Sequence, residues 1–203
     1  MREAKAEVEV DLDSDLEFDR LYPEWAYRLS DLHWTPLEVA RRAVELLEVD
    51  ESSRVLDVGS GVGKFCLVGA LCSSAQFIGV EQRAELVDIA RQTARRCGAT
   101  RAHFHHANVM SLDWRSFDGF YLYNPFYEHV ADFLSPIGEP IELSPSLYCE
   151  YVAATCLKLF HARLGARVVT YHGFGGPMPL GYRMIRREPA GTDHLELWER
   201  ASL

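Results

Sequence analysis

Apolar and polar positions follow two different periods along this chain, and the switches between them lay out an alternation of strands and helices. Four short runs dominated by apolar residues and bounded by turn residues recur, 55–58, 76–81, 119–123 and 167–171, and the histidine-rich 102–108 reads as a further strand between them. Runs of this length read as strands buried on both faces. Between them the spacing becomes helical. Leu37, Ala40, Val44 and Leu47 share one face of a helix reaching about Glu48, and further helices are expected over 64–71 and 83–97, the latter closed by Gly98. A long helix follows Ser144, with Ser144 as N-cap, Pro145 in its first turn and Gly165 just past its end. Two last strands, 182–187 and 194–199, flank residues 188–193, which read as a hairpin loop. The whole predicts an α/β fold: a seven-stranded, mostly parallel sheet with helices on both faces and a C-terminal antiparallel hairpin.

The N-terminal region departs from this pattern. Val8, Val10, Leu12, Leu16 and Phe18 alternate with Glu9, Asp11, Asp13, Asp15, Glu17 and Asp19, the period of a half-buried strand. Residues 1–19 hold eight acids against Arg2 and Lys5, a net of −6, so the expectation is an edge strand or a mobile arm. Tyr22, Trp25, Tyr27 and Trp34 follow, suited to packing on the domain or to a lid whose aromatic faces attract a cation. Residues 1–34 are therefore set apart as an extension of a domain spanning 35–203. At 34–39 the order Trp-Thr-Pro-Leu-Glu-Val predicts a helix start. Thr35 is the N-cap, Pro36 the first helical residue, Glu38 the partner in a capping box, and Trp34 staples to Val39.

Candidate chemistry begins at Arg54-Val55-Leu56-Asp57-Val58-Gly59-Ser60-Gly61-Val62-Gly63, where an apolar strand runs into a glycine loop and then a helix. A dinucleotide fingerprint needs a glycine at the sixth position from Gly59, which is Lys64, and a phosphate-cradling loop needs one at Val58. Neither pattern fits. What remains is acid-x-Gly-x-Gly-x-Gly, formed by Asp57, Gly59, Gly61 and Gly63, with an acid, Glu81, closing the next strand about 20 residues on.

This arrangement resembles the first motif of the Rossmann-like class I S-adenosylmethionine-dependent methyltransferases, and the resemblance extends over about residues 35–200. It implies that the Asp57 to Gly63 loop, Ser60 included, holds the methionine end of S-adenosylmethionine and that Glu81 binds the ribose hydroxyls. It also implies that Asn108 accepts from the adenine amine and that the turn at Thr35 touches the methionine carboxylate. The run Asn124-Pro125-Phe126-Tyr127 is similar to the Asn/Asp-Pro-Pro-aromatic motif of methyltransferases acting on planar or amide nitrogens, and departs from it at Phe126. Asn124, Pro125, Phe126 and Tyr127 are accordingly the expected acceptor-positioning residues. The loop Gly59-Ser60-Gly61-Val62-Gly63 is also similar to that of histone lysine methyltransferases of the disruptor-of-telomeric-silencing type. The function implied is methyl transfer to a nitrogen on a small molecule or protein side chain. The alternatives are a nucleic-acid base methyltransferase and a non-catalytic cofactor-binding interaction module.

Composition narrows the partners. A net charge of −9 over 203 residues disfavours a sequence-independent grip on nucleic acid, so no nucleic-acid partner is expected. The acidic N-terminus and the lack of a long apolar run lead us to expect neither a secretory signal nor a membrane span, and a soluble, cytoplasmic protein. Cys66, Cys72, Cys97, Cys149 and Cys156 form no C-x-x-C pair and read as reduced thiols. His103, His105 and His106 divide between opposite faces of a strand, so no metal site is expected there.

Overall fold

The computed structural model describes residues 10–28, 34–131 and 140–202. Its sheet has seven strands in the order β3-β2-β1-β4-β5-β7-β6. These are β1 (Arg54–Val58), β2 (Gln76–Glu81), β3 (Ala102–His106), β4 (Gly119–Tyr123), β5 (Arg167–Tyr171), β6 (Tyr182–Ala190) and β7 (Asp193–Arg200). The first five are parallel, and β7 and β6 add antiparallel at one edge. Chain order reverses between β1 and β4, leaving a crevice beyond their carboxyl ends, where ligands of open α/β sheets bind.

The apolar runs of β1, β2, β4 and β5 are continuous because each of these strands serves two cores. Val55, Phe77, Tyr121 and Val169 point into one, and Leu56, Ile78, Phe120 and Val168 into the other. The first core is covered by α3 (Leu37–Leu47), α4 (Lys64–Cys72) and α5 (Ala84–Arg96). The second lies under α6 (Pro145–Phe160) and short 3-10 turns around Val109 and Trp114. Helix α4 is buried on nearly every side, which explains its uninterrupted apolar sequence. A Cβ at Gly69 would sit 2.3 Å from the Phe77 ring, so this glycine sets how closely α4 approaches β2.

The N-terminal region differs from the alternating strand expected of it. Asp15–Asp19 forms a helix, α1, capped by Ser14, and Glu24–Tyr27 forms a second turn, α2. Phe18, Leu21, Tyr22 and Ala26 are buried in the first core. The physical reason is Lys64. Its ammonium, 4% exposed, lies 2.5 Å from Asp15 and 2.7 Å from Asp19, which are one helical turn apart. Residues 1–9, part of the expected arm, lie outside the described residues, as do 29–33.

The start of α3 also differs. Pro36, not Thr35, is the N-cap, and no side chain of the capping box bonds there. Instead Asp15 Oδ1 accepts from the Leu37 N–H at 2.9 Å, and Thr35 Oγ1 pairs with the Tyr121 hydroxyl at 3.0 Å. An acid 22 residues away supplies the cap. At the other end of the chain, β6 runs through Glu188 and Pro189 to Ala190, so the hairpin loop is shorter than 188–193. Pro189 is tolerated because β6 is an edge strand, and Glu188 is held by Arg42. Ser144 caps α6 as expected. That helix ends at Phe160, however, and Gly165 (φ +79°) belongs to the turn into β5, its N–H donating to Arg200 O at 2.8 Å. Residues 135–139, part of a Pro- and Gly-containing stretch over 135–146 that reads as a loop, lie outside the described residues. Among those described, no helix is long and apolar enough to cross a membrane, and no group of three or more His, Cys, Asp or Glu is placed to hold a metal ion.

Candidate active site

The glycine loop caps the carboxyl ends of β1 and β2. Gly59, Gly61 and Gly63 have φ of +73°, +53° and +83°, a region that side chains disfavour. The N–H groups of Gly59 and Ser60 both donate to Val80 O, at 3.1 and 3.0 Å, which folds the loop over β2. Gly63 also lies against the next layer, since a Cβ there would be 2.4 Å from the Phe104 ring.

Glu81 is drawn into this loop. Its Oε2 accepts from Gly61 N–H at 3.1 Å and its Oε1 from Arg83 N–H at 2.9 Å, while the side chain is 8% exposed. Burial raises its pKa, and the Arg83 and Gly61 contacts oppose that rise. The arrangement leaves a fixed carboxylate at the rim of a cleft of about 310 Å³, beside Gly59 and Gly61. A smaller cavity of about 60 Å³ adjoins it, lined by Thr35, Asp57, Ser60 and Lys64 among others. Ser60 Oγ is buried there and has no hydrogen-bond partner among the described residues.

Asp57 is 5% exposed, with Cys66 Sγ 3.5 Å from Oδ2. Burial pushes its pKa up to about 7, against the lowering effect of the Cys66 contact and with Glu81 adding to the rise. The folded chain therefore binds a proton that the unfolded chain has released. Stability from this group is full below the ordinary carboxylate range and is lost as pH rises to about 7. Without cofactor, the protein is expected to be less stable at pH 8 than at pH 5, by on the order of 3 kcal/mol, and to melt at a correspondingly lower temperature. In thermal melts across this range, Asp57→Asn should flatten most of the slope. An unchanged slope in the variant would assign the effect elsewhere.

The opposite wall of the cleft is the β4 exit. Asn124 adopts φ +41°, its N–H donates to Gly173 O at 3.0 Å, and its carbonyl accepts from Tyr127 N–H at 3.2 Å. No hydrogen bond among the described residues uses its side-chain amide. Pro125 closes on the glycine loop, and a Cβ at Gly59 would lie 3.2 Å from Pro125 Cβ. Phe126 is buried and tilted against the Tyr151 ring at 5.3 Å, whereas Tyr127 is 38% exposed at the mouth. All four residues border the cleft together with Glu81. Asn108 does not border it. Its Oδ1 accepts from Met110 N–H at 2.9 Å and its Nδ2 donates to the Tyr151 hydroxyl at 2.9 Å.

Trp34, expected either to pack on the domain or to take part in a lid, borders both cavities. Two cleft residues escape the sequence reading. His129 is buried, accepts at Nδ1 from Ser144 N–H at 3.2 Å, and is held toward its neutral form by burial. His172 follows β5 as Asn124 follows β4. That equivalence was the available signal, because the parallel register sets Tyr123 opposite Tyr171.

The site matches what S-adenosylmethionine needs: a glycine loop open to backbone approach, a fixed acid at the next strand end, and an orphaned buried hydroxyl. Comparison with known proteins agrees. Residues 49–139 match the family model of a methyltransferase domain. The chain is 35% identical over 77 residues to a 23S rRNA (uracil(1939)-C(5))-methyltransferase, RlmD, of Nitrosococcus oceani, a match covering 38% of this chain and 17% of that protein. An RNA methyltransferase from Salinibacter ruber, solved with S-adenosyl-L-homocysteine, superposes with a TM-score of 0.60 at 21% identity, over 83% of this chain and 94% of that one. An rRNA methylase from Streptococcus thermophilus gives 0.55 at 12% identity, over 83% and 98%. TrmN from Thermus thermophilus gives 0.57 at 18% identity, over 80% and 48%. Residues 49–139 thus match a methyltransferase domain, and the chain has the Rossmann-like fold of S-adenosylmethionine-dependent methyltransferases.

Proposed function

We propose that this chain transfers the methyl group of S-adenosylmethionine to a nitrogen on a small molecule or a protein side chain. The observation that carries the reading is the placement of Asn124, held at φ +41° in the cleft wall next to Pro125, which itself closes on Gly59 of the cofactor loop. An amide oxygen there can accept from the acceptor's N–H and turn its lone pair toward the cofactor. Tyr127 at the mouth, with Phe126 behind it, bounds the acceptor. On the donor side, Glu81 takes the ribose hydroxyls. The Asp57, Gly59, Ser60, Gly61 and Gly63 loop, with Thr35, takes the methionine end, whereas Asn108, outside the cleft lining and bonded to Met110 N–H and the Tyr151 hydroxyl, is given no contact with the adenine.

When bound, S-adenosylmethionine supplies a methyl on a sulfonium, open to in-line displacement. The chain's own contribution is to position the acceptor and exclude water. Asn124→Ala is expected to leave S-adenosylhomocysteine affinity within about threefold while slowing transfer roughly 100-fold or more. Calorimetry and a labelled-methyl assay measure the two separately. Transfer that survives intact would move the acceptor site elsewhere.

A second reading, methylation of an RNA base, is favoured by the RNA methyltransferases among the similar proteins. The net charge of −9 opposes it. The test is to incubate the protein and labelled S-adenosylmethionine with cell extract and treat the products with nuclease or protease. Label that resists nuclease supports an amine on a small molecule or protein. Label lost to nuclease, with binding that weakens steeply in salt, supports RNA.

A further inference from the structure

Three described non-glycine residues have positive φ: Glu48 ends α3, while Asn124 (+41°) and His172 (+56°) stand side by side where β4 and β5 leave the sheet. Backbone held in this region costs free energy and concentrates at functional sites. The two are tied together by the Asn124 N–H donating to Gly173 O. Both border the cleft.

The His172 ring is fixed on three sides. It stacks on Tyr123 at 5.5 Å and meets Tyr171 edge-on at 4.4 Å. Nδ1 lies 3.0 Å from Asp193 Oδ2, and Nε2 lies 3.2 Å from Thr192 Oγ1. A carboxylate accepts only, so Nδ1 carries the proton and Nε2 is left with a lone pair, to which the Thr192 hydroxyl donates. That hydroxyl has a second partner, Tyr171 OH, at 3.2 Å, and can turn away from Nε2. Asp193 also touches His194 Nδ1 through Oδ1 at 3.3 Å, so the ionisable groups facing His172 are Tyr123, Tyr171, Asp193 and, through Asp193, His194. Asparagine can orient an acceptor but cannot remove its proton. The neighbouring residue can.

We propose that His172, held by Asp193, is the proton acceptor of the methyl-acceptor subsite, and that the substrate is a nitrogen arriving with a proton to lose, such as an ammonium. This rests on the methyl-transfer reading above. The proton passes from the acceptor N–H to His172 Nε2 as Thr192 turns toward Tyr171. The freed lone pair forms the N–CH3 bond while the S–CH3 bond breaks, and its electrons remain on sulfur, leaving a neutral thioether. The imidazolium is stabilised by Asp193 and later releases its proton to water.

The test uses two cofactor analogues. Sinefungin carries an amine-bearing carbon where S-adenosylmethionine has its methylsulfonium, so it places a cation at the methyl position, and S-adenosylhomocysteine places none there. If Nε2 faces that position, protonated His172 repels sinefungin alone. Measured by calorimetry, the sinefungin to S-adenosylhomocysteine affinity ratio should rise about three- to tenfold when the medium is taken from acidic to mildly alkaline. His172→Gln should flatten this step. Asp193→Asn, which removes the carboxylate stabilising the imidazolium, should move the step to lower pH, and it serves as the check should His172→Gln fail to fold. A flat ratio in the wild-type chain, or a step that survives in His172→Gln, would overturn the proposal and assign any titration to Asp57, Glu81 or His129. Failure of the wild-type chain to bind S-adenosylhomocysteine is a separate result, which overturns the cofactor reading first.

Discussion

Replacing Glu81 by alanine is expected to lower the affinity for S-adenosylhomocysteine by about 100- to 1000-fold, the loss of two hydrogen bonds from ribose hydroxyls to a charged acceptor. The effect is large because the carboxylate is already built into the loop. Its two oxygens hold Gly61 N–H at 3.1 Å and Arg83 N–H at 2.9 Å, so the variant also takes away the acceptor of two backbone donors, while the Arg83 guanidinium keeps Glu128. Glu81→Gln keeps one oxygen for either task and should fall between. Isothermal titration decides the matter, and an alanine variant binding within about threefold of wild type would rule out the ribose role.

The largest expected effect on folding belongs to Lys64. Lys64→Met removes the cation between Asp15 and Asp19, strips Phe18 and Trp34 of an ammonium 5.7 and 5.9 Å from their rings, and breaks the buried 2.7 Å pair with Asp19, itself 5% exposed. Breaking one side of a buried pair costs about 3–5 kcal/mol, equivalent to a fall in melting temperature on the order of 10 °C at this chain length. The double change Lys64→Met with Asp19→Leu should recover much of that loss, because it removes both halves of the buried pair together. Denaturant titration of both variants tests this. A single variant within about 1 kcal/mol of wild type would mean that the N-terminal helices are held by apolar packing alone.

How much of this molecule could be read beforehand follows from where its information lies. The run Gln76 to Glu81 was legible as a strand because burial on both faces demands a local run of apolar residues, and the same holds for β4 and β5. The glycine loop and the acid closing β2 were legible because their spacing is fixed by the backbone. Helix α1 was not. Its alternation of acids and apolar residues is that of a strand, and only the ammonium of Lys64, about 50 positions on, makes two of those acids worth placing on one helical face. The cap of α3 misled for the same reason, since Thr35 looks like a cap until a distant Asp15 supplies one and Tyr121 claims the hydroxyl. Glu188 and Pro189 read as loop residues because nothing near them in the chain reveals Arg42. In the cleft, Asn124 stood out by its motif, and His172 did not, because its partners Thr192 and Asp193 come from a hairpin that returns to it only through the sheet.

The contact between Gly59 and Pro125 sets a limit on how this chain can be remodelled. The glycine loop and the Asn-Pro-Phe-Tyr segment meet with no spare volume, 3.2 Å from a hypothetical Gly59 methyl to Pro125 Cβ. On the proposed roles, a designer who exchanges that segment to recruit a new acceptor disturbs the cofactor loop as well, and one who rigidifies the loop displaces the segment. Variation in substrate choice is better sought at Tyr127 and beyond, at the open mouth of the cleft, where a change of side chain need not be felt by the cofactor.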